Sequence, residues 1–61
     1  MTFDEHKRHH WLSFLTAVPM REGGWLEIYT VTNPSKLYQR GQIVRFHFWF
    51  ADGLKYEELK V

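Results

Sequence analysis

Apolar and polar residues alternate most regularly in the C-terminal third of the chain. The apolar side chains there occupy every second position, at Val44, Phe46, Phe48 and Phe50. This period of two is typical of a β-strand with one buried face. Asp52-Gly53 follows directly and is a strong signal for a tight turn between two strands. The stretch 42–56 is therefore predicted to form a β-hairpin.

The register of this hairpin depends on the length of its loop. A two-residue loop, Asp52-Gly53, would place Lys55 opposite Phe50 and bring charge among the phenylalanines. A loop of residues 51–53, with Gly53 in the left-handed conformation that glycine tolerates, instead places apolar residues opposite apolar residues and pairs the charged ones on the other face. It pairs Phe50 with Leu54, Phe48 with Tyr56 and His47 with Glu57. Because a slip of one residue exchanges the two faces of a strand, we predict the three-residue loop.

The pattern admits two structures for the end of the returning strand. The predicted register places Glu58 opposite Phe46, which brings a carboxylate into an apolar layer. Two outcomes therefore stay open, a bulge after Tyr56 or a frayed tail. If the strand continues in register, Leu59 and Val61 join the opposite face of the sheet.

The N-terminal segment has the periodicity of an amphipathic helix. Thr2 and Glu5 have the spacing of a capping box, in which each side chain accepts a hydrogen bond from the other residue's backbone N–H. At about 100° per residue, one face is apolar. That face holds Phe3, Trp11, Phe14, Leu15 and Val18. Pro19 disfavours helical backbone at the residue before it, so a helix is predicted from Phe3 to about Ala17.

Residues 25–32 are rich in aromatic and β-branched side chains, which favour a strand. Gly23-Gly24 predicts a connector before this strand, and Asn33-Pro34 predicts its end. The order is then helix, strand, strand, strand. This order predicts a two-layer α+β fold, with the N-terminal amphipathic helix packed on a three-stranded antiparallel sheet. A chain of 61 residues is expected to form a single small domain over 1–61.

One helix has one apolar face and can cover one face of the sheet. The covered face is expected to carry Leu26, Ile28, Val44, Phe46, Phe48, Phe50, Leu54 and Tyr56. Within it, Phe46 and Phe48 are expected to be nearly buried and to pack near Trp11, Phe14 and Leu15. The other face lacks a cover, and it is expected to carry Trp25, Tyr29, Val31, Ile43, Arg45, His47 and Trp49.

Composition limits the kinds of function that are plausible. The chain has no cysteine, 18% aromatic residues and a net charge of +1. The lack of cysteine excludes disulfides and thiolate zinc sites, and the small charge gives no general case for nucleic-acid binding. Small domains often gain missing core by associating. No apolar run reaches membrane-spanning length, so a cytoplasmic protein without a membrane partner is expected.

The sequence predicts no catalytic, cofactor or metal site. Its serines and threonines stand in no nucleophile elbow or glycine-rich phosphate loop. His6 and His10 are one helical turn apart and could share a metal, but no third ligand is identifiable, so a solvated pair is the preferred interpretation. We expect a protein that is not an enzyme.

Charge is distributed unevenly along the chain. No acidic residue lies between Ile28 and Ala51, whereas several cations and aromatic residues do. The candidate interface residues are Trp25, Tyr29, Lys36, Arg40, Arg45, His47 and Trp49. Because a large exposed apolar patch usually marks association, the first hypothesis is a binding or regulatory module that forms a homodimer through the uncovered face.

Two other functions remain open. Aromatic rings and cations on an open sheet can stack bases and contact phosphates, so the alternative is a nucleic-acid-binding module that uses the same face. A weaker alternative, which depends on small size alone, is a phage or mobile-element protein that inhibits a host protein.

Overall fold

The computed structural model of the chain describes residues 2–49 and 55–60, which form a two-layer α+β arrangement. Helix α1 packs on one face of a four-stranded antiparallel sheet, whose strand order is β1-β2-β3-β4. The elements are α1 (Phe3–His9), β1 (Leu12–Pro19), β2 (Trp25–Val31), β3 (Ile43–Phe48) and β4 (Tyr56–Leu59). The predicted fold class is confirmed, but the sheet has four strands where three were predicted.

Helix α1 begins as predicted and ends earlier than predicted. The Thr2 hydroxyl accepts from the Glu5 backbone N–H, and the Glu5 carboxylate accepts from the Thr2 backbone N–H, so the capping box is present. The helix ends at His9, and Trp11 then adopts a left-handed backbone with φ of 55°. The prediction of a helix to Ala17 is therefore wrong.

Strand β1 replaces the second half of the predicted helix. It pairs with β2 from Leu12 opposite Val31 to Pro19 opposite Trp25, with a register shift at Leu15. The segment fits both periodicities, because its apolar residues have helical spacing while Thr16 and Val18 favour a strand. Pairing with β2 provides hydrogen-bond partners for the backbone groups on one side of β1 from Leu12 to Pro19, and such tertiary pairing overrides a weak helical preference.

The β1–β2 hairpin closes through residues 20–24. Gly23 and Gly24 both have positive φ, 105° and 73°. A side chain on Gly24 would also collide with the carbonyl oxygen of Phe48. The predicted connector is thus a tight hairpin loop that packs against the end of β3.

The predicted register of the C-terminal hairpin is confirmed where the structure describes it. Phe48 lies opposite Tyr56 and His47 opposite Glu57, and the pairing continues without a shift to Leu59 opposite Arg45. Neither a bulge nor fraying occurs between Tyr56 and Leu59. The predicted loop 51–53 with positive φ at Gly53, the Phe50–Leu54 pair and Val61 lie outside the described residues.

The core is an aromatic cluster around Phe3. Its ring lies 4.7–5.5 Å, centroid to centroid, from four other rings. These rings belong to Tyr29, Phe46, Phe48 and Tyr56. Phe46 and Phe48 are buried as predicted, at 0% and 3% exposure. The expected packing against Trp11, Phe14 and Leu15 is wrong, since each of those side chains is more than half exposed.

Strand β2 presents the face opposite to the predicted one. Trp25 pairs with Phe48, and Tyr29 pairs with Val44, so Trp25 and Tyr29 lie on the covered face and Leu26 and Ile28 on the uncovered one. The inversion places Glu27 in the covered layer. There its carboxylate accepts hydrogen bonds from Trp25 Nε1 at 2.7 Å and from the Tyr29 hydroxyl at 2.6 Å, which compensates for its partial burial.

Candidate binding surfaces

The structure divides the predicted seven-residue interface. Tyr29 is buried at 3% exposure, and the Trp25 ring stacks on Phe48 with a centroid distance of 5.6 Å and an interplanar angle of 10°. Both side chains belong to the covered, helix-side layer. The expectation that they share one open face with Arg45, His47 and Trp49 is therefore wrong.

On the uncovered face, aliphatic residues of β2 lie beside the polar residues of β3. Arg45 is half-buried opposite Ile28. His47 is buried, and its Nε2 lies 2.8 Å from the carbonyl oxygen of Gly23, to which it donates. The Trp49 ring lies 4.2 Å from the His47 ring. His47 is thus engaged within the chain and is not presented on the surface.

The remaining two candidates, Lys36 and Arg40, are exposed in the connection between β2 and β3. This connection joins the end of β2 at Val31 to the start of β3 at Ile43. Trp49 follows the opposite end of β3, where Lys55 Nζ lies 5.6 Å from its ring centroid. The basic loop and the exposed part of Trp49 therefore do not form the continuous basic and aromatic surface that was predicted.

The β1 edge is a candidate surface that the sequence reasoning missed. Strand β1 lies at the end of the strand order and pairs with β2 on one side. It carries no charged residue, and every residue after Leu12 is exposed. Phe14, Leu15 and Val18 are exposed at 55%, 51% and 42%. A run of eight uncharged residues with β-branched members is the signal that could have identified it.

A hydrogen-bonded cluster joins α1 to β4 on the covered side. The Tyr38 hydroxyl donates to Glu58 Oε1 at 2.6 Å and lies 3.1 Å from His6 Nε2. Burial, followed by the nearby charge of His10, lowers the pKa of His6. Burial and the hydrogen bond to Glu58 raise the pKa of Tyr38. The carboxylate that seemed out of place opposite Phe46 is therefore satisfied by a distant tyrosine.

His6 and His10, the C-cap residue of α1, are both engaged in internal contacts. Their ring centroids are 4.7 Å apart, but His10 Nδ1 lies 2.7 Å from Ser35 Oγ, as His6 Nε2 lies against Tyr38. Ser35 Oγ also accepts from the Leu37 backbone N–H at 3.4 Å. No group of three or more metal-ligating side chains occurs within residues 2–49 and 55–60. These contacts hold the β2–β3 connection against α1.

A groove of about 680 Å³ opens between α1 and the start of β1. Its walls carry Asp4, Lys7, Arg8, Trp11, Leu12, Phe14, Tyr29 and Thr32. Trp11 and Phe14 are large aromatic side chains that remain more than half exposed there. The groove therefore combines aromatic surface with two cations, although at residues other than those predicted.

Comparison of the chain with protein-family models, curated proteins and solved structures finds no match. The helix in the described part of the chain is too short to cross a membrane.

Proposed function

We propose that this chain is a small binding module, not an enzyme, and that it associates with a second copy of itself through the β1 edge. In this arrangement the two β1 strands pair antiparallel and join two four-stranded sheets into one. The observation that carries the proposal is the eight-residue length of β1 together with its lack of charge and its exposed apolar side chains.

An edge strand presents a row of unpaired backbone N–H and C=O groups that can pair with another strand. Proteins usually block such an edge with charges, with proline or with a bulge. Along β1, a register shift at Leu15 and a proline at the last position, Pro19, limit the edge. The apolar side chains of Leu15 and Val18 nevertheless remain in water, and pairing would remove them from it.

A second copy is the partner that best fits this edge. When two identical strands pair antiparallel about a two-fold axis, both subunits contribute the same surface to the interface. The edge has no charge that would repel its own copy or select a partner of opposite charge. A chain of this size also gains stability from shared core. The homodimer first expected through the uncovered face is thus proposed through the neighbouring edge.

The mass of the native protein in solution tests the proposal, measured by light scattering over a range of concentrations. We expect a dimer that dissociates on dilution and a melting temperature that rises with protein concentration. Leu15→Lys should shift the equilibrium to monomer, because it places a charge on the strand that pairs.

Ile43→Lys is the matched control for this variant. Ile43 is exposed to a similar degree, 55% against 51% for Leu15, but it lies in β3, away from the β1 edge. Its replacement should leave the dimer intact. A native protein that stays monomeric at high concentration would overturn the proposal. So would dissociation by Ile43→Lys alone, which would assign the interface to the sheet face.

A further inference from the structure

The groove between α1 and β1 holds a large aromatic side chain in an unfavourable backbone conformation. Trp11 directly follows the C-cap residue of α1, His10, and has φ of 55°. Glycine is the usual residue at this position. Its carbonyl oxygen accepts from the Thr32 backbone N–H at 2.9 Å and from the Thr32 hydroxyl at 3.2 Å. Thr32 thus anchors the backbone while the indole is 52% exposed.

Packing within the folded chain does not explain why a position with positive φ carries a large, half-exposed side chain. A bulky residue at positive φ is strained, and its side chain contributes little to the core when half of it stays in water. Strain that the surrounding structure maintains is common at ligand-binding positions. Phe14 lies across the same groove, also more than half exposed, with its ring 5.5 Å from that of Tyr29. Two aromatic faces are therefore available to one ligand.

The charge of the groove favours an anion. Lys7 Nζ lies 3.4 Å from the Asp4 carboxylate, and this salt bridge balances both charges. Arg8 is exposed and forms no salt bridge with any residue that the structure describes. The guanidinium of Arg8 therefore gives the groove a positive charge beside its aromatic walls. Arginine suits phosphate particularly well, because it donates two parallel hydrogen bonds.

We propose that this groove binds single-stranded nucleic acid, with bases stacked on Trp11 and Phe14 and a phosphate held by Arg8. Stacking on exposed aromatic rings needs unpaired bases, which a duplex does not present. A groove of about 680 Å³ falls in the size range of pockets that hold small ligands. It therefore accommodates a base with its attached phosphate, and the strand continues across the surface.

This inference goes beyond the proposed dimer and does not require it. Every residue of the groove belongs to one chain, so a monomer presents a complete site. The Leu15→Lys variant separates the two proposals. It should lose self-association while each chain still binds one oligonucleotide, and failure of either property leaves the other measurable.

Binding is measured by fluorescence anisotropy with a labelled single-stranded oligo-dT of about 15 nucleotides, a length that small single-strand-binding domains cover. A duplex of the same length and poly-glutamate serve as competitors. We expect the single strand to bind more tightly than either competitor, with affinity that falls as salt rises.

Two variants and one matched control assign the site. Arg8→Glu should weaken binding by about tenfold and reduce the slope of log K against log salt by about 0.7, the value for one lost phosphate contact on a single strand. Arg40→Glu makes the same change of charge in the distant β2–β3 connection and should leave binding nearly unchanged. Trp11→Gly should weaken binding by roughly 5- to 160-fold, as loss of a stacked base does.

Trp11→Gly also has a readout that a structural role would not give. Glycine relieves the strain at positive φ, so the variant should melt at the same or a higher temperature while it binds less well. The proposal is overturned by absence of binding at low salt, by equal weakening in Arg8→Glu and Arg40→Glu, or by competition from poly-glutamate equal to that from unlabelled oligo-dT. Native affinity in Trp11→Gly would overturn it as well.

Discussion

Strands β1 and β4 form the two edges of one sheet and differ in length, charge and contacts. β1 has eight residues and no charge, and nearly all of it is exposed. β4 has four residues, of which Glu57 and Glu58 are acidic. Tyr38, which lies outside the sheet, donates a hydrogen bond to Glu58, so a side-chain cluster contacts this strand.

The difference shows which edge is available for association. Short length and charge are two of the means by which proteins prevent edge strands from pairing, and β4 has both. β1 has a bulge at Leu15 and a terminal proline, Pro19, but no charge. β4 is therefore the edge less suited to association, while β1 keeps the features of an interface.

The two edges of the sheet should differ most in how much the free energy of unfolding falls when an aromatic side chain is removed. Phe48 is buried beside β4, with Phe3 at 4.7 Å and Tyr56 at 5.7 Å between ring centroids. Phe48→Ala should lower the free energy of unfolding by about 3–5 kcal/mol. Phe14→Ala, in the exposed β1, should cost no more than about 1 kcal/mol. Urea denaturation of dilute protein measures both, and equal costs would show that β1 belongs to the core.

The cluster at β4 should account for a smaller share of stability. Tyr38→Phe removes the hydroxyl that meets both Glu58 and His6 and leaves the carboxylate without this donor, so we expect a loss of about 1–3 kcal/mol. Tyr56→Phe is the matched control, because the Tyr56 hydroxyl takes part in none of the hydrogen bonds found among the described residues. Thermal melting of the two variants separates them. A Tyr38→Phe protein as stable as the native one contradicts this account of the β4 edge.

The smallest expected effect is a pH dependence on the β4 side. The pKa of His6 is lowered by burial and by His10, so the folded state binds a proton at His6 less readily than the unfolded state does. Its contribution to stability is complete above the unfolded pKa of about 6.5 and is lost as the pH falls through the lower folded value. His9, Tyr38, Tyr56 and Glu58 are the other titratable groups near it.

Urea midpoints between about pH 7.5 and about pH 5 measure this dependence. The native midpoint should fall towards the acidic end, and it should fall less in His6→Gln, which cannot gain the proton. An identical fall in both proteins would assign the acid sensitivity to groups other than His6.

Local patterns were sufficient for part of this fold. The capping box of Thr2 and Glu5 joins residues three apart, so it set the start of α1 without reference to the rest of the chain. The register of β3 and β4 followed from matching polarity across a short loop, and it places Phe48 opposite Tyr56. The burial of Phe46 followed from a period of two. Each of these features depends on neighbours within one hairpin or one helical turn.

The end of α1, the identity of β1 and the facing of β2 were decided by tertiary structure. Leu12 pairs with Val31 and Trp25 pairs with Phe48. The local period of apolar residues does not predict pairings between residues so far apart in the chain. The covered face of β2 carries Glu27, whose carboxylate accepts hydrogen bonds from Trp25 and Tyr29, each two residues away on the same face. The predicted interface depended on the facing of β2. Because β2 presents the opposite face, Trp25 and Tyr29 do not share a surface with Arg45, His47 and Trp49. The identity of β1 and the facing of β2 were therefore set by pairings between residues far apart in the chain. The same pairings created the β1 edge and the groove beside Trp11.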